Sequence, residues 1–340
     1  MITTIEAKAH KILEQSPEVV VRYRLLRDVL KRPTGDVELS QAKEEMYYSP
    51  NVQELANEQW ADGSWGAFHT RNTCLNQKII TTEAGVERAL ALGLDAAHPI
   101  LEKTTNYLLR VMNGEIPFPD RHEKNDRWQT GLRLILASTL ALIHPIHPVL
   151  DQDRKLWVSI AELTFQSGKY SEEDEIEAHS KLTGASVKDS YLVLNHKYQL
   201  NILGSIPGLL PKELEAGFLR WLWNKEDGIG YLGIPLNREP PDRSDQIDRW
   251  LASLELVARA YPLWINYAQP SIEWLWSQQN ERGYWDFGTR PASITRLPLS
   301  ENWRKKGKRE NDWTTRVLAL LRVFWTGFNK RDNLKTGTSG

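Results

Sequence analysis

The chain has 340 residues, of which 41% are hydrophobic and 26% charged, and its formal net charge at pH 7 is −1. This composition supports a large core and excludes a disordered chain, and the balanced charge excludes the concentrated basic face that nucleic-acid binding requires. The single cysteine, Cys74, excludes an intramolecular disulfide framework and predicts a reducing, cytoplasmic location. The longest apolar stretch, residues 134–143, is about half the length that spans a bilayer, so we expect at most peripheral membrane contact.

Apolar residues three and four positions apart predict helices of two alternating classes along the chain. The markedly apolar class, expected to form inner helices, covers residues 19–30, 84–94, 132–143, 191–203, 250–261 and 317–324. The amphipathic class, expected to form outer helices, covers residues 39–57, 99–112, 151–165, 211–223 and 270–279. Long connections at 66–80, 114–126, 168–188, 228–245 and 283–310 each follow an outer helix. No segment alternates convincingly with period two, so the predicted fold class is all-α.

Glycines in turns recur at intervals of 50 to 60 residues, at Gly63, Gly114, Gly168, Gly228 and Gly283. A repeat of that size has room for two helices and their turns. We therefore predict a single (α/α)6 toroid over residues 1–330, with a disordered tail at 331–340. In such a toroid the inner helices begin at the end that carries the long loops, so we expect their first turns to face the mouth of a central cavity.

The turn Gln59-Trp60-Ala61-Asp62-Gly63-Ser64-Trp65-Gly66 and the degenerate copy Gln279-Asn280-Glu281-Arg282-Gly283-Tyr284-Trp285 resemble the repeat of squalene–hopene cyclases and protein prenyltransferase β-subunits. The resemblance extends at repeat level over nearly the whole chain. It implies a structural clamp in which the Gln side chain ties a helix end to the turn and the Trp ring stacks on it.

The chain departs from the chemistry of that superfamily. It has no Asp-x-Asp-Asp acid motif and no Asp-Asp-x-x-Asp magnesium motif, and the nearest acidic cluster, Glu172-Glu173-Asp174-Glu175, is typical of a solvated loop. Cys74 lacks the Asp-x-Cys context of the prenyltransferase zinc site. No metal and no cofactor are predicted.

An acid is followed closely by an aromatic residue at the start of several predicted inner helices. The candidate catalytic carboxylates are Asp126, Asp189, Asp248 and Asp312, with Asp189 and Asp248 as the preferred pair. The candidate substrate-binding residues are Trp128, Tyr191, Trp250, Trp313, Tyr23 and His196. The alternative interpretation of each acid is a helix N-cap, and that of His196 is a satisfied core histidine. Arg27 and Arg316 are expected to present polar tips to the cavity, and the alternative interpretation of Arg27 is an ion-pair partner.

These residues predict a terpene-cyclase-like protein that binds an apolar small molecule in its central cavity. Aromatic faces stabilise cations, and a buried carboxylic acid can protonate an alkene, so metal-independent, acid-initiated cyclisation or isomerisation is the predicted turnover. Three alternatives stay open: a carbohydrate-active toroid with paired carboxylates, a non-catalytic ligand-binding toroid, and a scaffold with a solidly packed centre. The oligomeric state is not predicted.

Overall fold

The computed structural model describes residues 1–187, 190–293 and 295–336, with side chains as far as Arg331. This part of the chain is helical and contains no strand, apart from one isolated bridge between His196 and Gly230. The predicted all-α class is confirmed. The helices are α1 Ile2–Leu13, α2 Val19–Arg24, α3 Val37–Tyr47, α4 Pro50–Glu58, α5 Thr82–Leu92, α6 Pro99–Met112, α7 Trp128–Ile143, α8 Asp151–Thr164, α9 Glu172–Thr183, α10 Lys197–Leu203, α11 Lys212–Trp223, α12 Ser244–Ala260, α13 Gln269–Ser277 and α14 Lys308–Thr336.

Several helix boundaries differ from the predicted ones for local reasons. The predicted outer helix at 39–57 is divided into α3 and α4, because Ser49 precedes Pro50 and takes an extended backbone. The predicted inner helix at 191–203 begins only at Lys197. Its first apolar positions belong instead to a buried loop segment that contains Leu192 and Leu194. The last helix continues to Thr336, into the stretch predicted as a tail, and residues 337–340 lie outside the described part.

The acidic cluster at residues 172–175 forms the first turn of α9, so its interpretation as a solvated loop is wrong. Ser171 caps this helix by accepting a hydrogen bond from the Asp174 backbone N–H. Acidic side chains in a first turn are stabilised by the positive end of the helix dipole. Glu175 is buried, and its carboxylate accepts hydrogen bonds from the Tyr170 hydroxyl and the Leu194 backbone N–H.

The two best copies of the repeated turn share one hydrogen-bond pattern. Trp65 Nε1 donates to the carbonyl of Leu55, and Trp285 Nε1 donates to the carbonyl of Leu275, each ten residues earlier. The backbone N–H of each tryptophan also donates to a threonine hydroxyl on the next long helix, Thr82 of α5 for Trp65 and Thr314 of α14 for Trp285. In the first copy the Gln59 amide donates to the carbonyls of Gly63 and Ile100, which joins the turn to α6. These tryptophans and the Gln59 side chain are therefore structural clamps.

Six helices, which we call the lining helices, contact one another in succession and line one cavity. They are α2 with the π-helical turn Leu25–Val29 that extends it, α5, α7, α10, α12 and α14. Contacts join α5 to α7, α7 to α10, α10 to α12, α12 to α14, and α14 to α2. The remaining step, from α2 to α5, is made by Arg24 and Arg27, which donate to the carbonyls of Ala91 and Gly93. Other helices pack outside them: α3 on α2, α4 on α5, α6 on α5 and α7, α8 on α10, and α1 on α14.

Candidate ligand cavity

The cavity between the lining helices has a volume of about 510 Å³, within the range of small-molecule pockets. Most of its lining side chains come from the C-terminal halves of those helices. Of the exposed ones, Lys31 and Arg259 lie near these ends and Val323 lies in the middle of α14. Leu232 and Leu299, from long connections, are buried in its wall. The opening is thus at the C-terminal ends of the lining helices. The expectation of a mouth at their first turns is wrong, because among the described residues those turns contribute no side chain to the cavity wall apart from Lys197.

The cavity wall combines apolar and charged side chains. Leucine, alanine and valine side chains form its apolar part, at positions 90, 91, 142, 232, 252, 256, 258, 299, 319, 320 and 323. The charged part consists of Arg24, Arg27, Asp28, Lys31, Glu87, Lys197, Glu255, Arg259, Arg296 and Arg316. Among the described residues the wall contains no aromatic side chain. Its chemistry is therefore that of an apolar chamber with a mostly cationic polar surface.

The π-helical turn Leu25–Val29 positions one group of charges at the wall. Arg24 and Arg27 both contact the carboxylate of Asp28, the latter with Nε 2.6 Å from Oδ1. Burial alone raises the pKa of Asp28, but the two guanidiniums outweigh it and hold that pKa well below its usual range. Asp28 is therefore ionised and neutralises part of this cationic group.

A second group of charges lies deeper, where α5, α10, α12 and α14 meet. Lys197 Nζ lies 3.2 Å from a Glu87 oxygen and 3.5 Å from a Glu83 oxygen. Asp248 is fully buried and pairs with Arg316 at 2.5 Å and with Arg296 at 3.2 Å.

Burial raises the pKa of Asp248, and its ion pairs with Arg316 and Arg296 more than reverse this effect, so the net pKa is lowered. Arg316 also pairs with Glu255 at 2.6 Å. Both cations that contact Asp248 line the cavity, and the carboxylate lies behind them. Asp248 is held as a carboxylate anion by this arrangement.

Two lining cations have no carboxylate partner in the described part of the chain. Arg259 Nη2 donates to the neutral side-chain oxygen of Asn201 at 2.5 Å. Arg259 is an exposed residue of the cavity wall, and desolvation by the surrounding protein atoms lowers its pKa. Lys31, at the opening, has a left-handed backbone with φ of 53° and no hydrogen bond or ion pair to a described residue.

The charges do not cancel. Counted over the described residues, seven lining cations stand against five carboxylates that line the cavity or pair with its cations, namely Asp28, Glu83, Glu87, Asp248 and Glu255. Charges of one sign on low-dielectric walls concentrate the field and attract counter-ions. The cavity is therefore suited to a ligand with a negative charge.

The predicted acids do not meet in the cavity. Asp189 lies outside the described residues, and Asp126 is exposed and accepts a hydrogen bond from the Ser186 backbone N–H. Asp312 is fully buried and accepts from Ser300 Oγ, Trp303 Nε1 and two loop backbone N–H groups. Burial raises its pKa to about 6 in spite of these donors. Asp126, Asp248 and Asp312 share the acceptance of loop N–H groups, which indicates loop anchoring; a catalytic role for them stays a prediction.

The predicted substrate-binding residues are also dispersed, and none of them lines the cavity. Trp250 and Trp313 are fully buried, with Trp250 against Trp274 and Trp313 Nε1 bonded to the Gly288 carbonyl. Trp128 packs on Phe118 and His122, and the Tyr191 ring lies over Gly131. Tyr23 lies under the Arg27 guanidinium. His196 precedes α10, where its Nδ1 lies 2.9 Å from the Tyr191 carbonyl.

A cluster that the sequence interpretation missed lies near the starts of α5 and α10. His69 Nδ1 lies 2.5 Å from Glu83 Oε2, and the Tyr198 hydroxyl donates to the same oxygen at 3.0 Å. The hydrogen bond and charge of Glu83 raise the pKa of His69, while burial opposes them. Asp120 accepts the backbone N–H groups of residues 68–70 and so fixes the His69 loop.

The sequence did contain a signal for the cavity. Arg24, Lys197, Glu255 and Arg259 are charged residues inside the markedly apolar class of segments, and a charge in a buried segment requires a partner or a polar cavity. The residues that the structure describes hold no cluster of His, Cys, Asp and Glu suited to a metal ion, and none of their helices combines the length and apolarity of a membrane span. Comparison of the chain with protein-family models, with curated proteins and with solved structures gave no match.

Proposed function

We propose that the lining helices close into an α/α toroid whose central cavity binds a small molecule with an anionic group and an apolar body. The succession of contacts from α2 through α14 and back to α2, completed by the Arg24 and Arg27 bonds to the end of α5, supports a closed ring. The observation that carries the ligand class is the excess of cations on an otherwise apolar wall. An anion compensates that excess, and an aliphatic chain replaces water on the leucine and alanine surface.

Acid-initiated cyclisation of a terpene-like chain, the function predicted from the sequence, receives less support. Such chemistry uses aromatic faces to stabilise carbocations, and the described cavity wall has none. It also uses a protonated acid at the substrate, whereas Asp248 is paired with Arg316 and Arg296 behind the wall. The same lack of aromatic residues disfavours a carbohydrate site. The non-catalytic ligand-binding toroid is the alternative that agrees best with the wall.

Calorimetric titration with four twelve-carbon probes tests this proposal. Dodecanoate and dodecyl phosphate carry negative charge, dodecanol is neutral, and dodecyltrimethylammonium is positive; all are used below the concentrations at which they form micelles. We expect one molecule of an anionic probe per chain, bound at least about tenfold more tightly than the other two probes. The Ala319→Trp variant, whose indole fills the void, should lose this binding and keep its fold. Equal affinity for all four probes, or no binding of either anion, would refute the proposal.

A second candidate function is proton-transfer catalysis at the His69 cluster, favoured by the short His69 to Glu83 contact. Glu83 orients one imidazole nitrogen, which leaves Nε2 of the partly exposed ring free to exchange a proton with a substrate. Hydrolysis of p-nitrophenyl butyrate tests this function. A rate that rises with pH through the His69 pKa and disappears in His69→Gln supports it, and a rate equal to that of free imidazole contradicts it.

A further inference from the structure

We infer that Arg259, on α12, binds the charged group of the ligand, and that this group is the singly charged carboxylate of a long-chain acid. The inference rests on the proposed function and specifies its substrate class and binding residue. Five arginines line the cavity: Arg24, Arg27, Arg259, Arg296 and Arg316. In the part of the chain that the structure describes, Arg259 is the one among them without a carboxylate within ion-pair distance.

The donors of Arg259 are largely free. A guanidinium carries five N–H donors in a planar fork, and the structure shows one hydrogen bond, from Nη2 to Asn201 Oδ1. Asn201 is itself fixed, because its Nδ2 donates to Ser138 Oγ on α7 at 3.0 Å. A carboxylate accepts two parallel N–H bonds from such a fork. The Arg259 guanidinium can therefore bind a carboxylate through two hydrogen bonds, while Asn201 holds it in place.

The surroundings of Arg259 set the number of charges that the site matches. Burial lowers the pKa of Arg259, and the nearest carboxylates, Glu87 and Glu255, lie beyond ion-pair distance and already contact Lys197 and Arg316. Lys31, the second cation without a partner, is exposed as Arg259 is, but it is not among the charged groups that act on Arg259. One guanidinium is thus left without an anion at this part of the wall. A single negative charge neutralises it, whereas a doubly charged phosphate brings a second charge that has no cation of its own beside Arg259.

The apolar wall near Arg259 accounts for the rest of the ligand. Ala258 and Leu256 flank it on α12, and Leu320 and Val323 line the cavity from α14. An unbranched alkyl chain packs on such aliphatic surface without needing polar partners. Lys31 serves as an electrostatic guide at the opening, because exposed charges affect association rates more than affinity.

Titration of dodecanoate and dodecyl phosphate at pH 8, where the phosphate is doubly charged, tests the inference on the full chain. We expect dodecanoate to bind at least about threefold more tightly than dodecyl phosphate. Arg259→Gln should weaken dodecanoate at least about tenfold, and Arg249→Gln, an exposed arginine on the same helix, should bind as the unmodified protein does. Lys31→Gln should slow association at low salt and leave the affinity within about threefold.

Measuring the stability of an Arg259 variant shows whether this arginine binds the ligand or instead stabilises the fold. Without ligand, Arg259→Leu should leave the midpoint of thermal unfolding unchanged or raise it, because the described structure gives this guanidinium one hydrogen bond to a neutral oxygen and no ion pair to lose. A lowered midpoint overturns the inference, as does dodecanoate binding that is unchanged in Arg259→Gln. Tighter binding of dodecyl phosphate than of dodecanoate overturns the carboxylate assignment and leaves the proposed function standing. Failure of both anions to bind refutes the proposed function itself.

Discussion

Replacing Asp248 by asparagine tests whether this carboxylate is a structural anion or a proton donor. The side chain is fully buried and contacts Arg316 at 2.5 Å, Arg296 at 3.2 Å and the Ser293 backbone N–H at 3.1 Å. Removing one partner of a buried ion pair leaves uncompensated charge and costs about 3 to 5 kcal/mol. We therefore expect Asp248→Asn to lower the free energy of unfolding by that amount, in urea titrations at pH 7. A proton donor in an active site predicts lost turnover with nearly unchanged stability.

The matched control is Asp245→Asn, one turn earlier on the same helix. Asp245 pairs with the exposed Arg243, and exposed pairs contribute at most about 1 kcal/mol. The pH dependence gives a second check, because the pKa of Asp248 is lowered from 3.8 in the folded state. Its contribution to stability is then fully present above pH 3.8 and is lost only as the pH falls through the lower folded value. The difference between the two proteins should stay constant from pH 7 to 5. A cost below about 1 kcal/mol, or a difference that disappears by pH 5, would refute the ion-pair role.

Further predictions concern His179 and Gly85. His179 is fully buried against Trp157, neither ring nitrogen has a hydrogen-bond partner among the described residues, and burial lowers its pKa to about 4. Since the unfolded imidazole binds a proton near pH 6.5, the protein should lose about 2 kcal/mol of stability between pH 7 and 5 through this group. Chemical denaturation should show that loss abolished in His179→Leu and retained when the exposed His10 is replaced by Gln. Gly85→Ala should destabilise the protein by about 1 to 3 kcal/mol, because its Cβ would lie 2.4 Å from the Trp65 ring. Gly35→Ala, where a Cβ meets nothing within 4 Å, should leave the thermal unfolding midpoint unchanged or slightly raised.

The class and order of the helices were predictable because they follow from apolar periodicity, which depends on the sequence within each element. The Trp65 clamp was predictable for the same reason, since its turn and the helix before it are contiguous. The start of α10 was not, because Leu192 and Leu194 are buried in a loop and mimic a helical pattern. The location of the opening was not predictable either. It depends on whether the long connections lie over the ring or fold into it, and that is decided by contacts between residues far apart in sequence.

The same limit explains the choice of acids over arginines as candidate site residues. An Asp before an aromatic is visible in the sequence, but its partner is not: Asp248 meets Arg316, 68 residues away, and Asp312 meets the loop at Leu299 and Ser300. These carboxylates, which were expected to act on a ligand, are therefore paired with an arginine or with loop N–H groups of the chain itself. Arg27 was correctly weighed as an ion-pair partner, since Asp28 lies beside it.

The cationic character of the cavity wall is not simply compensation for the ends of the lining helices. Carbonyl groups at helix C-termini carry partial negative charge and attract cations. Arg24 and Arg27 interact with such groups by donating hydrogen bonds to the carbonyls of Ala91 and Gly93. Arg296 and Arg316 form ion pairs with Asp248. Arg259 is different, because the structure shows it bonded to the neutral oxygen of Asn201. In the described chain its guanidinium therefore compensates neither a helix end nor a carboxylate, and its place on the wall of an apolar cavity favours a function that needs the charge.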